Sequence, residues 1–209
     1  MQTFGQSALT KLVSIACAVF LFVPPASADL TDDVGQCDSC HGVDGVSSES
    51  DVPHIAGQSP FILEEYLFSY RDDARPCPES KYRSGDIDRP ATDMCAIAKA
   101  LSEDEIPEIA DYYSGKTFVA AKQEFDAEKA AAGAKIHRRD CEKCHSDGGS
   151  YADDDAGLLA GQWTPYLEQS IAEFASGERE ALDDKMTEKI DGLDADSIAA
   201  LLNYYASLQ

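Results

Sequence analysis
Seven cysteines stand in this 209-residue chain, and four of them repeat one pattern. Cys37-Asp38-Ser39-Cys40-His41 returns 104 residues later as Cys141-Glu142-Lys143-Cys144-His145. Cysteines three apart lie on the same face of a helical turn. Both thiols can then add to the two vinyl groups of one haem, and the histidine that follows can offer a ring nitrogen to the iron. Two copies predict two covalent haem c groups, on Cys37/Cys40 and Cys141/Cys144, with His41 and His145 as iron ligands. A structural zinc shared by two C-x-x-C pairs leaves the histidine after each pair unexplained. A thioredoxin-like dithiol needs a βαβ setting, and no alternating strand pattern occurs here.

Each iron then needs a sixth ligand or an open site. Besides Met1 the chain has two methionines, Met94 and Met186, each downstream of its own C-x-x-C-H and shortly before a helix. Both read as axial thioether ligands. His/Met ligation raises the iron's potential and closes both axial positions, which predicts an electron carrier rather than a haem enzyme. His54 and His137 could stand in for a methionine, but their counterparts in the other half are Leu158 and Asp33. They read instead as surface groups or as supports behind the ligands. Cys77 and Cys95 are left over. A disulfide between them would tie their segment beside the Met94 loop; the alternative is two free thiols, disfavoured in an oxidising compartment. Trp163, the single tryptophan, reads as a packing residue, with a place near a haem edge as the lesser alternative.

The elements that must position these groups also come twice. Ala56-Gly57-Gln58 recurs as Ala160-Gly161-Gln162, and Leu63, Glu64 and Arg75 recur as Leu167, Glu168 and Arg179, all 104 residues on. From Met94/Met186 to Tyr112-Tyr113/Tyr204-Tyr205 the offset drops to 92, so the first half carries 12 extra residues between Arg75 and Met94. Such a period means two duplicated domains. Ser59-Pro60 and Thr164-Pro165 read as helix starts, an N-cap followed by proline in the first turn. Leu63, Tyr66, Leu67 and Tyr70 share one helical face, as do Leu167, Ile171 and Phe174. Ser102 with Glu105 forms a capping box, Asp194 caps the matching helix, and Gly115 is a stop. The expectation is an all-α chain of two tandem domains, 29–117 and 118–209. The second opens with a charged, alanine-rich linker running into its first helix.

Residues 1–28 read as a secretory signal peptide. Lys11 precedes an apolar run from Leu12 to Val23, Pro24-Pro25 break it, and Ala26-Ser27-Ala28 offers a cleavage site. The run is short for a bilayer span. Cys17 falls inside it and reads as part of the discarded peptide, with a lipid anchor as the lesser alternative. The mature product is expected to be exported to the periplasm and not membrane-spanning. A net charge of −22 argues against nucleic acid as a partner. It suits a basic docking partner or a solvated coat, and the acidic residues are spread too evenly to choose.

The order C-x-x-C-H, A-G-Q, then methionine before an alanine-rich helix with Tyr-Tyr, twice over, resembles the two-haem class I cytochromes c of the cytochrome c4 type. In the second half, Gly133-Ala134-Lys135-Ile136-His137, Cys141 to His145, and Leu159-Ala160-Gly161-Gln162-Trp163-Thr164-Pro165-Tyr166-Leu167 resemble the cytochrome subunit of flavocytochrome c sulfide dehydrogenase. In that family a flavin subunit oxidises sulfide and passes electrons to the dihaem subunit. The resemblance implies class I cytochrome c domains and the ligand set His41, Met94, His145 and Met186. It also implies a flavoprotein partner carrying FAD, in a heterodimer, and a soluble or membrane electron acceptor. On that reading the chain is an electron-carrying subunit of a sulfide–cytochrome c oxidoreductase. A free-standing c4-type carrier to a terminal oxidase is the alternative. A dihaem enzyme, such as a peroxidase or a thiosulfate-oxidising dehydrogenase, is a third and would need an open or unusually ligated iron. Class I cytochromes commonly support the iron-binding histidine with a proline carbonyl: Pro53 fits, and the second half has Gly157 there.

Overall fold
The computed structural model describes Met1 and residues 30–209; the leader expected over residues 1–28, with Cys17, lies outside the described residues apart from Met1. Among the described residues nine α-helices follow one another: α1 (Leu30–His41), α2 (Pro60–Arg71), α3 (Met94–Ala100), α4 (Glu105–Ser114), α5 (Ala127–Asp140), α6 (Ser146–Gly149), α7 (Thr164–Ser176), α8 (Asp184–Asp191) and α9 (Ala195–Ser207). Among the described residues there is no strand, only an isolated bridge between Ser80 and Thr92. The fold is therefore all-α, and no helix among the described residues is long and apolar enough to cross a membrane.

The sequence repeat is a repeat of the core. In the first half Leu63, Ile109, Ala110 and Tyr113 pack together. In the second half Leu167, Leu201, Leu202 and Tyr205 occupy the corresponding places. Each cluster joins the helix after A-G-Q to the last helix of its half. The caps explain where these helices begin. Ser59 accepts the Ile62 N–H and Asp194 the Ser197 N–H. Ser102 and Glu105 bond reciprocally, Ser102 N–H to Oε2 at 2.7 Å and Glu105 N–H to Oγ at 3.3 Å, which satisfies two donors that a helix start leaves free. One expected cap differs. Thr164 is the first residue of α7 rather than its cap, and Trp163 precedes it without a side-chain bond. The Thr164 N–H is satisfied instead by Gln123 Oε1 at 2.9 Å, from the connecting segment.

Residues 117–126 connect the halves without regular structure before α5 starts at Ala127, capped by Asp126. α5 lies against α9 at a close crossing. A methyl group on Gly133 would overlap the Ala200 carbonyl, so this approach requires glycine.

Candidate functional site
The Cys37–His41 turn ends α1, and a cavity opens beside it. Its lining includes Cys37, Cys40, His41 and Met94. Ile55, Leu63, Leu67, Ile97 and Ile109 make much of the rest. The space free of atoms is about 1290 Å³, part of it open to solvent. Cys37 and Cys40 are free thiols, not a disulfide, as are Cys141 and Cys144. Burial pushes the Cys37 thiol up to about 12 and raises those of Cys40 and Cys141. Among the described residues, the only group of three potential metal ligands is Cys77, Asp93 and Cys95, and both of its sulfurs are already bonded to each other. A zinc cage around the C-x-x-C pairs is not assembled.

His41 keeps one ring nitrogen free for a ligand bond. Its Nδ1 lies 3.0 Å from the Pro53 carbonyl oxygen, so Nδ1 carries the proton and Nε2 keeps its lone pair. Burial lowers its basicity, which favours the neutral ring that a metal needs. In the second half His145 is likewise lowered by burial, and the Gly157 carbonyl opposes that shift. Gly157 stands too loosely for a bond within hydrogen-bonding limits, and His145 Nδ1 is buried without a partner. Two thiols, an imidazole held by its far nitrogen and a thioether, all lining one cavity, fit a covalent haem in the first half. In the second half the cysteines and histidine recur in the turn that follows α5, and Met186 is half-buried near the start of α8. The methionines sit on short helices of their own: Met94 opens α3 behind the Asp93 cap, and Met186 is third in α8 behind Asp183.

The extra residues of the first half form a strap over the cysteine end of α1. Ser80 and Thr92 bond to each other's backbone, and Cys77 is joined to Cys95. The Arg83 and Ser84 N–H groups donate to the Ser39 carbonyl at 2.8 and 3.0 Å. Gln36 donates to the Tyr82 hydroxyl and accepts from Arg89, whose guanidinium lies over the Tyr82 ring. Cys144, which has no strap, is exposed, whereas Cys40 is only partly so.

Neither spare histidine is a surface group. His137 is completely buried: the Tyr205 hydroxyl meets Nδ1 at 3.0 Å, and Nε2 faces the His145 carbonyl and the Glu142 carboxylate. It does for Tyr205 what Asp38 and the Val34 carbonyl do for Tyr113. His54 is 2% exposed and accepts the Ser47 N–H at Nδ1. Burial, with His41 nearby, holds it down to about 4. Trp163 packs across the halves, stacked on His54 and donating to the Ser47 carbonyl at 3.1 Å.

Sequence reasoning used Gln58, Gln162, Arg75 and Arg179 only as repeat markers, yet all four are buried where the halves meet. Gly57 and Gly161, both at φ of 68°, donate to the Tyr113 and Tyr205 carbonyls. That turn, which favours glycine, sends the following glutamine into the opposite half. Gln162 accepts the His54 N–H at 2.9 Å and donates to the His54 carbonyl at 3.0 Å. Gln58 accepts the N–H of Leu158, the counterpart of His54, at 3.3 Å. Arg75 pairs with Glu173 of the second half at 3.5 Å, both buried, and stacks on Tyr70. Arg179 lies over Tyr66, from the first half. Tyr166, from the second half, lines the first-half cavity. The only signal for these roles was polar residues repeated at equal spacing beside the haem motifs.

No protein-family model matches the chain. Cytochrome c4 of Stutzerimonas stutzeri is 30% identical over 158 residues, which cover 70% of this chain and 70% of that protein. Among solved structures, reduced recombinant cytochrome c4 from Pseudomonas stutzeri superposes with a TM-score of 0.68 at 25% identity, covering 88% of this chain and all of that one. Thiosulfate dehydrogenase (TsdBA) from Marichromatium purpuratum gives a TM-score of 0.63 at 26% identity, over 82% of this chain and 36% of that one.

Proposed function
The chain belongs to the cytochrome c4 family, and from that premise we propose that it is an exported, periplasmic carrier of single electrons with two covalent haem c groups. Cys37 and Cys40 would hold one group and Cys141 and Cys144 the other. His41 with Met94, and His145 with Met186, would complete the irons. The domains on this reading are 29–117 and 118–209, after a leader over residues 1–28. Bound haem supplies a one-electron ferric–ferrous couple.

The observation that carries the reading is the first-half cavity, whose lining includes both thiols, the imidazole and the thioether among aliphatic side chains. The protein's part is to hold and shield. The Pro53 carbonyl fixes the tautomer and direction of His41. The aliphatic lining keeps water off the ligands, and Met94 is positioned by the Asp93 cap and the adjoining Cys77–Cys95 bond.

Family membership is equally consistent with a free-standing c4-type carrier to a terminal oxidase. The second-half motifs from Gly133 to Leu167 support a narrower reading, as the cytochrome subunit that accepts electrons from an FAD-bearing sulfide dehydrogenase. Structural similarity to a thiosulfate dehydrogenase (TsdBA) adds support for a sulfur-oxidising donor. Purification from the native host separates these readings. Flavin copurifying in a fixed ratio with this chain supports the subunit reading; a flavin-free chain with two haems supports the free carrier.

A further inference from the structure
Two chains of groups run from the C-x-x-C-H histidines to the glutamines of the opposite half, the first hydrogen-bonded throughout and the second open at His145. In the first, His41 Nδ1 meets the Pro53 carbonyl at 3.0 Å. That carbonyl belongs to the peptide whose N–H is on His54, and this N–H donates to Gln162 Oε1 at 2.9 Å. The glutamine is locked. Its Oε1 also accepts the Trp163 N–H, its Nε2 donates to the His54 carbonyl, and its side chain is fully buried. The second chain is related to the first by the sequence repeat. His145 Nδ1 faces the Gly157 carbonyl, and the N–H of that peptide, on Leu158, donates to Gln58 Oε1 at 3.3 Å.

Resting on the proposed function, we infer that Gln162 and Gln58 are positioning residues, each tuning the iron-binding histidine of the opposite half through one shared peptide. A peptide whose N–H is already engaged is polarised and becomes a better acceptor at its carbonyl. A stronger acceptor draws the Nδ1 proton of the histidine, which makes the ring a better electron donor to its metal. Greater donation stabilises the ferric state and lowers the reduction potential. Each redox centre thus has part of its tuning in the other half. The two chains differ in strength: the first is short at both links, whereas the second has a longer glutamine contact and no formed bond at His145.

The test is made on the full-length, haem-loaded protein. Midpoint potentials are measured for the wild type, Gln162→Leu and Gln58→Leu, with the Nδ1–H resonances of His41 and His145 followed by NMR in the reduced state. Gln162→Leu is expected to raise one potential and move the His41 proton upfield. Gln58→Leu is expected to raise the other potential by a smaller amount. Gln162→Glu restores an acceptor for the His54 N–H and is expected to return the first potential to the wild-type value or below it. It also serves if Gln162→Leu does not fold. Potentials unmoved in haem-bearing variants would overturn the inference, as would both leucine variants raising the same one or an unmoved His41 proton in Gln162→Leu. A wild-type protein without haem would instead overturn the function on which it rests.

Discussion

At the scale of single residues, the chemistry depends on nitrogens whose protons are assigned by their neighbours. His41 is readied by Pro53, and His54 is a neutral strut whose Nδ1 takes the Ser47 N–H. The native His54 stays unprotonated until about pH 4, while the unfolded ring protonates near its ordinary 6.5. Between those values the unfolded chain binds more protons. Stability is therefore fully present above about pH 6.5 and falls as the pH drops toward 4. His54→Leu, which installs the residue of the other half, is expected to make this acid slope shallower. It should also cost about 1–3 kcal/mol at neutral pH, because the Ser47 N–H loses its acceptor. Denaturant midpoints at pH 7 and 4.5 check both. The two C-x-x-C-H motifs stand out in the sequence because haem attachment needs that spacing. The burial of His54 and His137 does not. Each histidine breaks the repeat, and the groups that satisfy it, Ser47 for one and Tyr205 for the other, are specified by tertiary packing alone.

At the scale of elements, Ser59, Asp194 and the Ser102–Glu105 pair marked their helices in the sequence because capping is local. The helices that carry the methionines were not separable there. At 7 and 8 residues, α3 and α8 are too short for periodicity to define them. The strap was visible only as a length difference, and its path along α1 follows from bonds to Ser39 and Gln36 that no local pattern encodes. Its disulfide spans 18 residues of sequence. By the loop-closure estimate, Cys77→Ser with Cys95→Ser is expected to lower the unfolding free energy by about 3 kcal/mol. Chemical denaturation of the double variant checks this, and an unchanged midpoint would show that the strap is held by its hydrogen bonds alone.

At the scale of the whole molecule, duplication explains both the two sites and the way they meet. The repeated core residues are legible as repeats, but the interface is not, since its partners lie about a hundred positions apart. Arg75 and Glu173 form a buried pair across that interface, with side chains 3% and 7% exposed. Removing one member of such a pair leaves an uncompensated charge, at a cost of about 3–5 kcal/mol. Arg75→Met is expected to destabilise the protein by that order and to split its unfolding into two transitions, one per half. Circular dichroism across a denaturant series reads this, and a single transition at the wild-type midpoint would refute it. The central claim, that each half carries a haem through its own cysteine pair, is tested most directly by intact and peptide mass spectrometry of the protein purified from its native host. The account predicts a chain heavier by two haem groups, with one on the peptide containing Cys37 and Cys40 and one on the peptide containing Cys141 and Cys144. A chain with the mass of its amino acids alone, or with four unmodified cysteines at those positions, would contradict it.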